Sequence, residues 1–185
     1  MFSNPDWAAF GLLVIQQSLQ HDAATKLKIK QHPPTSTLVS LLEKTPPKDV
    51  SEARKWFGIL AGRISGASGV IRPNMELILH FRYADFSSAD LTRLSQLSMV
   101  PTKTNSHDGE GNSIFHWLPP NQCFFGGVSR ARFHSKLFTF VDFGTLANGF
   151  LSACGTKHEP SVEEVAQILL SDPHRFYELA GGPNK

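Results

Sequence analysis

The sequence contains little cysteine, almost no net charge and no apolar run that could cross a membrane. Two cysteines, Cys123 and Cys154, among 185 residues are too few for the disulfide framework of a small secreted protein. We interpret both as free thiols that behave as small buried hydrophobes in a reducing compartment. The 18 basic and 16 acidic residues leave a formal charge of +2. That balance gives no reason to expect nucleic acid or an anionic membrane as a partner.

The apolar run WAAFGLLVI, from Trp7 to Ile15, is too short to span a bilayer. It also lacks the basic leader of a secretory signal, because Asp6 is the only charged residue before it. We therefore expect no membrane segment and a cytoplasmic location, with the nucleus as the alternative. The run is better interpreted as part of a helix from Pro5 to Gln20, capped by Asn4.

Hydrophobic residues make up 41% of the chain, which is enough to bury a core. In the first half, three- and four-residue apolar spacing predicts one helix after a cap at Thr35 or Ser36. The same spacing predicts a second helix that begins near Asp49 or Ser51. Ser87, followed by Asp90, has the pattern of a capping box and predicts a third helix.

The second half mixes short strand patterns with helices. The segments SMVP, SIFHWLPP and NQCFFGG read as strands, and Leu137 to Val141 predicts another. A helix from Thr145 to Ala153 should end at Gly155, and Ser161 with Glu164 forms a second capping box. In the helix that follows Ser161, the spacing predicts one buried face, made of Val162, Val165, Ala166 and Leu169.

Together these patterns predict an α+β fold in which a helical N-terminal half packs with a small sheet from the C-terminal half. We divide the chain into a helical segment 1–64, a flexible connection 65–74 and a mixed block 75–182. The connection is rich in Gly and Ser. The whole chain could equally form one compact unit.

A metal site would have to use Cys123, His134, Cys154 and His158. Neither cysteine has the C-x-x-C neighbour that structural zinc sites show. We therefore predict no metal site, no cofactor and no catalytic residue.

Asp142, in FVDFG, matches three residues of a kinase metal-binding motif, but the other kinase elements are absent upstream. An aspartate at the end of an apolar strand more often accepts backbone N–H bonds at the start of the next helix. This second role is the one that we predict for Asp142.

A stripe of basic residues is the one charge pattern with a functional interpretation. Arg130, Arg132, His134 and Lys136 alternate with other residues, and no acidic residue lies between Glu110 and Asp142. On an extended segment the four share one face and could contact phosphates or an acidic partner. Basic side chains on an edge strand also simply prevent aggregation.

Several longer strings point to a known family. LTRLSQLSMVPTK, PPNQCFFG, SKLFTFVDFG, ANGFLSACG, EPSVEEVAQILL and DPHRFYELAGG occur in order from about Leu91 to Gly182. They resemble consecutive parts of a block in very large fungal proteins of unknown function, which carry an N-terminal GHKL-type ATPase and sacsin-like bodies. KQHPPTSTLVSLLEK is similar to the sacsin-like element in which His-Pro-Pro precedes a helix.

The resemblance implies that this chain corresponds to an internal piece of such a protein, from a truncated reading frame or a shortened paralogue. The motifs of the family's ATPase part, a helical Glu-x-x-x-Asn, an Asp-x-Gly-x-Gly and a glycine-rich lid, do not occur here. The resemblance therefore implies no ATP hydrolysis.

We expect a non-catalytic interaction or scaffold module that binds a protein partner or self-associates through uncovered apolar surface. The alternative is a small enzyme or accessory protein of a fungal secondary metabolic pathway. Its chemistry would have to come from five residues brought together by folding: His116, Cys123, His134, Asp142 and His158.

Overall fold

The computed structural model describes residues 1–15, 23, 26–64, 86–104, 114–126, 137–174 and 177. A 3-10 helix, Pro5–Phe10, comes first, and another short one, Pro120–Gln122, precedes β3. The remaining elements are α1 Thr35–Lys44, α2 Val50–Ala61, α3 Ser88–Ser95, β1 Val100–Thr104, β2 Ile114–Leu118, β3 Cys123–Phe125, β4 Thr139–Val141, α4 Thr145–Ala153 and α5 Val162–Ser171. The predicted α+β class is confirmed, whereas the connection 65–74 lies outside the described residues.

Helices α2 and α4 form the centre of the core. Asp49 begins α2 by accepting a 2.8 Å hydrogen bond from the backbone N–H of Glu52, as predicted. The spaced apolar residues of α2 then face inward, and the ring of Phe57 stacks on Phe150 of α4 with centroids 5.6 Å apart. Phe143, just before α4, meets Phe57 edge-on at the same centroid distance. Residues on both sides of the connection 65–74 therefore share one hydrophobic core.

The N-terminal segment differs from the long helix predicted for residues 5–20. Asn4 caps a 3-10 helix as expected, but this helix ends at Gly11, whose φ of 69° is a left-handed conformation that glycine tolerates. The chain then turns back, and the N–H of Phe2 donates to the carbonyl of Leu13 at 2.9 Å. A helix that continued past Phe10 would not allow that backbone pairing, so the helix prediction is wrong for residues 11–15, and residues 16–20 lie outside the described residues.

Two small sheets cover other sides of the core. Strands β1 and β2 pair antiparallel, with Val100 opposite Leu118, and Trp117 Nε1 donates to the carbonyl of Pro47 at 2.7 Å. Strands β3 and β4 pair in parallel, and a bridge between Phe124 and Lys157 lies outside the named strands. The predicted strand at residues 137–141 is confirmed for its last three residues.

The predicted helix caps are confirmed in most places. Ser87 and Ser161 both form complete capping boxes, and α4 spans the predicted residues. The exception is α1, where Pro34 occupies the cap position and no side chain caps the helix. Pro34 is extended, with a φ of −59° and a ψ of 148°, and α1 begins at Thr35, directly after it, without a side-chain cap.

His32 connects the N-terminal segment to the core. Trp7, which is buried, donates from Nε1 to His32 Nδ1 at 3.2 Å, and this bond requires an unprotonated Nδ1. Partial burial and then the charge of Arg63 lower the pKa of His32 below its ordinary value of 6.5. Arg63 is itself buried and donates to the carbonyl of Pro33 at 3.5 Å. The folded state therefore favours neutral His32.

This preference predicts a pH-dependent stability. Because the unfolded chain binds the proton more readily, the contribution of His32 is complete above pH 6.5 and is lost as the pH falls through the lower folded pKa. We expect the free energy of unfolding, measured with urea between pH 7.5 and pH 5, to decline in the wild type. His32→Gln should flatten this decline, whereas His116→Gln, on the exposed part of β2, should keep it. Parallel declines in all three proteins would contradict the prediction.

Candidate functional site

Strand β3 runs parallel to β4 and also to the short stretch of chain at Lys157, which pairs with Phe124. The carboxyl ends of these three stretches therefore lie along one edge. In open sheets with parallel strands, ligands bind outside this edge. Here it carries Asp142, directly after β4, and His158, directly after Lys157. The two residues follow strands on opposite sides of β3, so they are separated by two inter-strand spacings, roughly 10 Å.

Asp142 is engaged in holding the start of α4. Its Oδ1 accepts 2.9 Å hydrogen bonds from the N–H of Gly144 and from Asn148 Nδ2. Asn148 Oδ1 accepts in turn from the N–H of Phe143 at 3.0 Å. The Gly144 N–H bond and then the Asn148 bond lower the pKa of Asp142 below its ordinary value. The predicted turn-and-cap role of Asp142 is confirmed.

His158 and Lys157 make contacts that stabilise the local structure. The exposed His158 ring lies 5.3 Å from the ring of Phe125, measured between centroids. Lys157 Nζ contacts Glu164 Oε1 at 2.8 Å and so connects the sheet edge to α5. The contact that the structure gives His158 is therefore with a phenylalanine ring.

Burial makes the two cysteines poor nucleophiles. The exposed fractions of Cys123 and Cys154 are 0% and 1%, and burial raises the pKa of each thiol to about 12. Both thiols stay protonated at neutral pH, whereas attack and metal binding need the thiolate. Within the described ranges, no three His, Cys, Asp or Glu side chains come together as a possible metal site.

The basic stripe of Arg130, Arg132, His134 and Lys136 falls in residues 127–136, outside the described residues. His134, as a candidate for metal binding or catalysis, falls there too. The proposal that this stripe contacts a partner therefore stays a prediction.

The exposed face of α5 is another feature that the sequence did not predict correctly. Val162 and Leu169, expected to be buried, have exposed fractions of 81% and 43%, and Leu170 is 83% exposed. None of the α5 residues joins the hydrophobic core. The capping box and the contact between Lys157 and Glu164 hold the start of α5. Val165 and Ala166, which were also predicted to be buried, are half-buried. We call the side chains of Val162, Leu169 and Leu170 the α5 apolar face.

A sequence signal for this face existed. Six of the ten residues of α5 are apolar, and Leu169 and Leu170 are consecutive. The apolar stripe is therefore wider than the single helix face that would pack against the core. Glu163 lies seven residues before Leu170 and therefore on the same side of the helix, two turns away. The apolar face thus borders an exposed carboxylate.

Comparison with known proteins identifies a family but no activity. The sequence model of a family described as "Protein of unknown function (DUF3684)" matches residues 1–72 and 74–185. No curated protein and no solved structure matches the chain. Among the described residues, no helix is both long and apolar enough to cross a membrane.

The network around Asp142 predicts a moderate loss of stability on substitution. Asp142→Ala should lower the free energy of unfolding by about 1 kcal/mol at pH 7, the usual cost of losing a side-chain acceptor at a helix start. Asp142→Asn keeps an oxygen acceptor and should lose less. Because the folded pKa is lowered, the difference from wild type should shrink as the pH falls below 3.8. Equal stability of Asp142→Ala and wild type in urea unfolding at pH 7 would refute this role.

Proposed function

Because the chain belongs to the DUF3684 family, whose description names no activity, we propose from its structure that it is a non-catalytic interaction module. It binds another protein through the α5 apolar face. The observation that carries the proposal is the exposure of Val162 and Leu170, at 81% and 83%, on a helix whose first turn is closed by a capping box. Clustered apolar side chains that a protein leaves uncovered mark an interaction site more often than a random surface does.

Helix α5 is ordered by its own hydrogen bonds, so its apolar face is formed before a partner binds. Ser161 accepts from the N–H of Glu164 at 3.2 Å, and the Glu164 carboxylate accepts from the N–H of Ser161 at 2.8 Å. These two bonds satisfy donors at the first turn of α5 without help from a partner. A partner would therefore bind an ordered helix and would not have to order α5 first.

The thiol chemistry gives no support to an enzyme. The candidate nucleophile Cys123 is protonated at neutral pH, and Asp142 is held by the cap of α4. Our proposal also includes the ancestry and location inferred from the sequence: a relative of the sacsin-like region of large fungal proteins, in the cytoplasm. In such an assembly, the α5 apolar face would be covered by a neighbouring protein segment.

The proposal predicts that the α5 apolar face contributes little to the stability of the chain. Val162→Gln and Leu170→Gln should change the free energy of unfolding by no more than about 0.5 kcal/mol, as exposed substitutions usually do. Phe150→Ala, in the core, should cost about 3–5 kcal/mol. Both glutamine variants should also reduce the fluorescence of a dye that binds apolar surface.

Urea unfolding and dye titration of the four proteins provide the measurement. A loss above about 2 kcal/mol in Leu170→Gln would place that side chain in the packed interior and would refute the proposed interaction face. Unchanged dye fluorescence in both glutamine variants would also count against it, because the dye would then bind elsewhere.

A further inference from the structure

We draw no further inference here: the strongest candidate, the surface patch of Met1 and Leu13 beside the backbone bridge between Phe2 and Lys30, carries nothing because no feature of the described residues shows what covers it.

Discussion

The stacked rings of Phe57 and Phe150 join the two halves of this chain. They bring α2, from the helical first half, against α4, from the mixed second half, with ring centroids 5.6 Å apart. Phe86 extends the same aromatic group, 5.9 Å from Phe150. Aromatic pairs of this kind contribute about 0.5–1.5 kcal/mol beyond the area that they bury. The contact between α2 and α4 also fixes where the two sheets lie. Strand β4 leads directly into α4, and Trp117 of β2 donates a hydrogen bond to Pro47, just before α2.

The way the core is built also explains why α5 remains exposed. Helix α4 packs on α2, and Cys154 and Thr156, just after α4, are buried. The surface of α2 that faces α4 is therefore already covered by residues that precede α5. Lys157 then pairs with β3 and contacts Glu164, which holds the start of α5 at the edge of the sheet. The polar contacts thus position the start of α5 against the body. Val162, Leu169 and Leu170 are left exposed, whereas Val165, Ala166 and Ile168 are half-buried. This arrangement is the physical basis for an interaction module.

Local signals in the sequence predicted much of the fold. The capping boxes at Ser87 and Ser161 and the cap at Asp49 depend on neighbouring residues only, and all three are present. The orientation of α5 was not predictable, because a 3.6-residue period defines an apolar stripe but not the neighbour that it meets. The bond from Trp7 to His32, 25 residues apart, depends on tertiary contacts, whereas the left-handed turn at Gly11 is a local helix cap that the sequence reading missed. The thiols were predicted as buried because cysteine is among the most buried residue types.

Native-state hydrogen exchange of the full chain tests the central claim most directly. The amides of α2 and α4 belong to the shared core and should exchange only through global unfolding. The amides of α5, on a helix without core contacts, should exchange through local opening at a much lower free energy. Exchange of α5 with the same free energy as α2 and α4 would show that α5 is packed into the fold, and would contradict an uncovered binding face.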